Sequence, residues 1–372
     1  MNKKISTFTY KAGRNISSVE KEYNIKNVIK LASNENPIGP SPNAIRNANK
    51  KINELNRYPD SDSLTLKLQL VKKFKKKSLT IDNLIVGNGS NEILDFAARA
   101  YLSSDSEVIF AKHSFLVYRI VANIMNAKII ETSPIKLKSK QYLGTDLSAI
   151  LEKINKKTRL IFIANPNNPT GTILDIEEID SFMKNISKKI IVVLDEAYAE
   201  YAEYQKKYSG LSILEKYPNL IVTRTFSKIY ALAGLRVGYG IGSKKIIKTL
   251  NYYRHPFNVN TFAQLLAAEC LKDKKYISKS LKDNAAGMNY IKNEFDKLGI
   301  DYLGTYGNFL TFKLGSRAIN IYNKLLANGI IVRPLDNYDL KDYLRITVGK
   351  DNENRRFIST LKKLLKNNKN DL

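Results

Sequence analysis

Histidine and cysteine are nearly missing from this chain of 372 residues, which has only His113, His255 and a single Cys270. One thiol excludes an internal disulfide and a cysteine-rich metal site. Two histidines are too few for a histidine-based zinc centre, so no metal is expected. Long apolar runs are missing too, and none reaches the roughly 18 residues that a membrane span needs. The opening MNKKISTFTYKAGRN carries charge but no apolar segment, which argues against a secretory signal. A cytoplasmic protein without membrane contact is therefore expected. Acidic residues are the other scarcity: 35 face 61 lysines and arginines, for a formal charge of +26. The lysines are scattered through helical stretches and loops, and no arginine–aromatic recognition pattern accompanies them. Such a surface attracts anions in general, and no specific nucleic-acid partner is expected.

What is present reads as an ordinary globular protein. Hydrophobic residues make up 43% and charged residues 26% of the chain. The length exceeds what one hydrophobic core usually serves, and three parts are expected: an N-terminal arm (1–40), a large domain (41–260) and a small C-terminal domain (261–372). The arm ends in LASNENPIGPSP, whose prolines and glycine favour an extended, turning loop. A helix is expected over Pro42 to Leu55. The turn NRYPD follows, with an exposed Tyr58, and then a helix over Leu64 to Lys76 with Leu64, Leu68, Val71 and Phe74 on one face.

Short, almost wholly apolar runs alternate with helical segments through the middle of the chain. LIV (84–86), RLIFIA (159–164), IIVVLD (190–195) and NLIVTRT (219–225) are the clearest. Strands of this kind, separated by helices, indicate a mostly parallel sheet sandwiched by helices, hence an α/β fold. A long helical stretch over Thr261 to Leu298 leads to a smaller α+β unit. Its strands are expected near Phe309–Leu314, Ile330–Pro334 and Tyr343–Thr347, and its closing helix over Glu353–Leu365.

In a parallel sheet the C-terminal strand ends face a common crevice. Asn168 (in NPNNPTG), Asp195 (in IIVVLDEAY) and Lys228 (in TRTFSKIYALAGLR) each lie at or just past such an end. Gly87 and Gly89 precede a helix opening with Ser90 and Asn91, an arrangement whose backbone amides can hold an anion. Lys228 follows the hydroxyls of Thr225 and Ser227 and precedes Arg236, groups suited to a phosphate beside a lysine nucleophile. Taken singly, each of these has an ordinary explanation: a turn, a capping aspartate, a surface lysine. The order NPTG, DEAY, SK…GLR is much harder to obtain by chance.

Together with NENP, NRYP and LRITVG, these motifs make the chain resemble the histidinol-phosphate aminotransferase branch of the class I and II aminotransferases. These are fold-type I pyridoxal-phosphate enzymes of the aspartate aminotransferase kind, and the likeness runs from about Tyr10 to Leu364. The resemblance implies that Lys228 forms the Schiff base with the cofactor and then shuttles the proton. Asp195 would keep the pyridine nitrogen protonated, with Tyr198 and Asn168 on the ring hydroxyl. Ser90, Asn91, Thr225, Ser227 and Arg236 would hold the phosphate. Phe115 stands where the family usually stacks a tyrosine, and His113 replaces a usual proline with no evident reason. Tyr10, Asn36, Tyr58, Arg333 and Arg345 are the implied substrate-binding residues, Tyr58 reaching into the neighbouring subunit of a homodimer with shared active sites. The implied reaction exchanges an amino group between L-histidinol phosphate and 2-oxoglutarate in histidine biosynthesis. An aromatic amino-acid aminotransferase or a phosphothreonine-type decarboxylase on the same fold stays open, and so does a basic binding protein without catalysis.

Overall fold

The computed structural model describes residues 13–50, 52–75, 78–136, 141–205 and 208–367. Asn15 caps the first helix, α1 (Ile16–Tyr23), by accepting from the Ser18 amide at 2.7 Å, and the short strand β1 (Ile29–Lys30) follows. Next come α2 (Pro42–Asn49), α3 (Leu64–Phe74), β2 (Leu84–Gly87), α4 (Ser90–Tyr101), β3 (Glu107–Ala111), α5 (Val117–Ile124) and β4 (Lys128–Thr132). The chain continues through α6 (Leu147–Lys153), β5 (Thr158–Ala164), α7 (Ile176–Lys184), β6 (Ile191–Asp195), α8 (Ala199–Gln205), β7 (Leu220–Thr225), β8 (Gly238–Gly242) and α9 (Lys244–Tyr252). It ends with α10 (Thr261–Cys270), α11 (Lys274–Leu298), β9 (Phe309–Lys313), α12 (Ala318–Ala327), β10 (Ile330–Ile331), β11 (Arg333–Pro334), β12 (Tyr343–Thr347) and α13 (Asp351–Asn367).

Seven strands form the central sheet in the order β2-β8-β7-β6-β5-β3-β4, with β8 the only antiparallel member. The two-residue period of a strand separates its side chains onto two faces. Val192, Leu194, Leu220 and Val222 enter one hydrophobic core, while Ile191, Val193, Phe162 and Ile221 enter the other. Each fully buried side chain of this size contributes about 1.5–3 kcal/mol relative to exposure, which is why the strands read as unbroken apolar runs. A three-stranded antiparallel sheet, β11-β12-β9, carries a third core with α11, α12 and α13. Among the described residues no helix is long and apolar enough to cross a membrane.

Four expectations need adjusting. Residues of the arm form α1 and β1; β1 pairs parallel with β10, and Val19, Val28 and Ala32 pack against Leu326 and Ile331. The first helix of the large part stops at Asn49, and a short 3-10 turn (Ile52–Glu54) replaces its last stretch. α3 buries Leu66 and Leu70 at 0% exposure and leaves Leu64 and Leu68 at 44% and 51%. Leucines at every second position, 64 to 70, place one i,i+4 pair on each of two faces, so the helical period alone cannot choose between them. α3 also ends at Phe74, two residues early, where Lys75 turns left-handed. The helix over 261–298 is two helices, because the Asp273 carboxylate accepts both the Tyr276 amide and the Ser41 hydroxyl and so starts α11 afresh.

Candidate active site

β5, β6 and β7 lie side by side, with Ala164, Asp195 and Thr223 in one cross-strand row. Asp195 is the last residue of β6 and shares a strand face with Ile191 and Val193. That face delivers its carboxylate to Tyr118 of α5, whose hydroxyl donates to Oδ2 at 3.0 Å, and to Thr223, which donates to Oδ1 at 3.0 Å. Burial pushes the Asp195 carboxyl up to about 6, against the pull of these two donors. Tyr118 itself stacks on Phe162, ring centres 4.7 Å apart and planes 4° apart, and meets Phe115 edge-on. Sequence reasoning missed both partners of Asp195. Thr223 was readable only through the register of β6 against β7, and Tyr118 only as a hydroxyl one residue into α5.

Lys228 lies on the wall of a cleft of about 240 Å³ whose lining includes Ser90, Asn91, Phe115, Asn168, Asp195, Tyr198, Thr225, Ser227 and Arg236. Its Nζ donates to the Ser33 carbonyl at 3.2 Å and stands 5.6 Å from the centre of the Tyr198 ring. Burial lowers the Lys228 amine to about 8; the charges of Arg345 and Arg236 act in the same direction, and Glu35 and Asp195 oppose it. An amine held there keeps a sizeable neutral, nucleophilic fraction just above neutrality, unlike an exposed lysine. The Tyr198 hydroxyl accepts from Asn34 Nδ2 at 2.8 Å, and burial pushes the phenol up to about 12, so its proton stays on at neutral pH.

The opposite end of the cleft is shaped for an anion. Gly89 precedes α4 at φ +80°, and a Cβ there would stand 2.6 Å from Arg236 Nη2. A Cβ on Gly238 would stand 2.3 Å from the Ser90 amide nitrogen. Glycine at both positions lets the first amides of α4 and the Arg236 guanidinium approach one point. Arg236 adopts φ 53°, a left-handed conformation rare for a side chain of its size, and its Nη1 donates to the Ala233 carbonyl at 2.9 Å and Ser227 Oγ at 3.3 Å.

The turn after β5 closes the third side. Asn167 donates to the His113 carbonyl at 2.7 Å, and His113 Nδ1 donates to the Tyr338 carbonyl at 2.7 Å. Burial lowers the His113 imidazolium, so the ring is neutral and serves as a fixed donor that ties this loop to the C-terminal part of the chain. A position that the sequence left without an account is thereby explained. Asn168 Oδ1 accepts from Arg345 Nη1, whose Nη2 donates to the Ala32 carbonyl at 2.9 Å, and the guanidinium lies 5.3 Å from the Phe309 ring centre.

None of the five implied substrate residues is in this cleft lining: Arg345 meets it through Asn168, and the other four stand apart or outside the description. Asn36 Nδ2 is committed to the Ile229 carbonyl at 2.8 Å and Ser280 Oγ at 2.7 Å, which makes it a brace for the Lys228 turn. Arg333 is buried on β11 directly across from Arg345. Tyr58 is 83% exposed and stacks on Phe257 at 4.7 Å. Tyr10 lies outside the described residues.

The family described as aminotransferase class I and II matches residues 26–361, nearly the whole chain and every residue of this cleft. The chain belongs to that family. Histidinol-phosphate aminotransferase 2 of Pseudomonas fluorescens is 42% identical over 358 residues, 96% of this chain and 94% of the relative. The histidinol-phosphate aminotransferase of Methylobacillus flagellatus is 42% identical over 96% of this chain and 95% of its own. The crystal structure of histidinol-phosphate aminotransferase from Clostridium acetobutylicum superposes with a TM-score of 0.82 at 26% identity, covering 91% of this chain and all of that one. The enzyme of that name from Sinorhizobium meliloti, solved with pyridoxal-5'-phosphate, shares the fold with a TM-score of 0.85 at 22% identity over 96% of this chain and 98% of its own.

Class I and II aminotransferases use pyridoxal phosphate, and this chain is a pyridoxal-phosphate-dependent aminotransferase. The cleft fits that group on its own terms. Two glycines clear the space for a phosphate among Arg236, Ser227, Thr225 and the start of α4, a buried carboxylate can face a ring nitrogen, and a depressed lysine amine lines the same cleft. Because Lys228 titrates near 8, capture of the cofactor by the apoprotein should speed up about tenfold per pH unit below that value and level off above it. Stopped-flow absorbance between pH 6 and 9 measures this; a flat profile would mean that Lys228 is not the capturing amine.

Proposed function

We propose that this aminotransferase moves the amino group of L-histidinol phosphate to 2-oxoglutarate, a step of histidine biosynthesis. The observation that carries this reading is the near full-length likeness, at 42% identity, to chains named for that reaction. When bound, pyridoxal phosphate supplies an aldehyde carbon for amine exchange and a ring that draws electrons from the substrate carbon. Lys228 Nζ would hold the cofactor at rest and, once displaced by substrate, remove the proton from the amine-bearing carbon. Asp195 would keep a proton on the ring nitrogen, a task suited to a carboxylate braced by Tyr118 and Thr223. Tyr198, its phenol proton retained, would donate to the ring oxygen beside Asn168, and Phe115 would cover one face of the ring.

Both substrates are anions, and only one carries a carboxylate on its amine-bearing carbon, so the anion site must take phosphate and carboxylate in turn. A guanidinium fork does so without changing protonation. Arg345, at the cleft edge beside Asn168 and Lys228, is the residue assigned to this, with Arg333 behind it on the neighbouring strand. Arg345→Lys should raise the Michaelis constants for histidinol phosphate and 2-oxoglutarate together, for a loss of roughly 1.5–3 kcal/mol in transition-state binding. A rise for one substrate alone would separate the two anion sites.

The active unit is proposed to be a cytoplasmic homodimer in which Tyr58 completes the partner's site. Its ring is exposed, and Leu55, Leu64 and Leu68 of the same stretch are exposed as well, apolar side chains that a second subunit would cover. Mixing an inactive Tyr58 variant with an inactive Lys228 variant should restore activity, since hybrids contain one intact site. Absence of complementation, with subunit exchange verified by mass, would place Tyr58 outside the partner's site.

A turnover panel tests the reaction itself. Histidinol phosphate with 2-oxoglutarate should be the fastest pair, ahead of phenylalanine with 2-oxoglutarate. Faster turnover of phenylalanine, or release of carbon dioxide from phosphothreonine, would replace the assignment with one of those activities.

A further inference from the structure

Two carboxylates line the Lys228 cleft, Asp195 at its floor and Glu35 at its rim. Asp195 is committed, each oxygen accepting a hydrogen bond from a buried hydroxyl. Glu35 is not. Its Oε1 accepts from Lys30 Nζ at 2.9 Å, its side chain keeps 45% of its exposure, and Oε2 has no hydrogen-bond partner among the described residues. The backbone that carries it is fixed: Asn308 Nδ2 donates to the Asn34 carbonyl at 3.0 Å and the Glu35 carbonyl at 3.3 Å, and the Ser33 carbonyl takes Lys228 Nζ. Glu35 also acts on the Lys228 amine more strongly than Asp195 does, which places its charge close to the reacting end of the cleft.

The other polar groups there suit different parts of a substrate. Arg236 and Arg345 are cations fitted to anions, and Asn168 Oδ1 is taken by Arg345. A substrate that carries an imidazole must leave a ring N–H somewhere, and an N–H that gives up water without gaining an acceptor is costly. We propose that Glu35 is the specificity-determining residue of this enzyme, its Oε2 accepting the imidazole N–H of the amino donor while Lys30 steadies the other oxygen. The proposal rests on the histidinol-phosphate reading above. It also bears on the second substrate: glutamate offers a carboxylate and no N–H in its side chain, so Glu35 gives it nothing and opposes its charge.

The test uses the holoenzyme and its Glu35→Gln variant. The two half-reactions are followed separately by the visible absorbance of the bound cofactor, with L-histidinol phosphate, with L-glutamate and with an amino-alcohol phosphate lacking the imidazole. In the variant, kcat/KM for histidinol phosphate should fall on the order of tenfold, while glutamate reacts as well as before or better and the imidazole-free phosphate is unaffected. Glu35→Asp, which keeps the charge but shortens the reach, should fall between the two proteins. Equal losses on all three amines would make Glu35 a structural brace of the loop, and no loss on histidinol phosphate would remove it from recognition; either overturns the proposal. If the unaltered enzyme ignores histidinol phosphate, the reaction assignment itself fails and this inference fails with it.

Discussion

Lys228→Ala is expected to abolish amino transfer, with kcat falling by at least about 10⁴-fold. The size follows from the two tasks proposed for one amine, holding the cofactor and moving the proton. No other lysine among the cleft-lining residues can take over either task. The variant should still bind the cofactor, because Arg236, Ser227 and the start of α4 would hold its phosphate independently of Lys228. Borohydride treatment should then release the cofactor on denaturation of the variant but fix it permanently in the unaltered enzyme. A variant that keeps the cofactor covalently attached after borohydride treatment and denaturation, or that transfers amino groups at a normal rate, would move the catalytic amine elsewhere.

Asp195→Ala should also be severe, by a different route. The carboxylate sits in a fully buried row between Ala164 and Thr223, and burial has already raised it to about 6. A protonated ring nitrogen brought beside it would favour the charged form and draw that value down. Removing one partner of a buried charged pair costs about 3–5 kcal/mol, which corresponds to roughly 10²–10⁴-fold in kcat if the loss falls on the transition state. Substrate affinity should change little, since Asp195 is proposed to face the cofactor and not the substrate anion. An alanine variant with a raised Michaelis constant and an unaltered kcat would reduce Asp195 to a substrate contact.

Legibility in the sequence followed physical range. β5, β6 and β7 were readable because strands buried on both faces are continuous apolar runs, and Asp195 and Lys228 because a polar residue at the end of such a run points to the crevice. Arg345 was readable from its place within YLRIT, a strand whose bounds came out as expected. What was hidden depends on distant parts of the chain meeting. Asn36 reads as a ligand contact in an exposed loop, yet its amide is spent on Ser280, 244 residues away. The docking of β1 on β10 and the tie from His113 to Tyr338 are of the same kind. The α3 face failed for a local reason: two leucine pairs compete at helical spacing, and only the packing of Leu66 and Leu70 into the core of the large sheet decides between them.

Transfer of isotope tests the central claim most directly. Histidinol phosphate labelled with ¹⁵N at its amino group, incubated with the holoenzyme and unlabelled 2-oxoglutarate, should yield glutamate carrying the label in proportion to the amino alcohol consumed. Unlabelled glutamate, or consumption of histidinol phosphate with the label appearing as ammonia, would contradict the account.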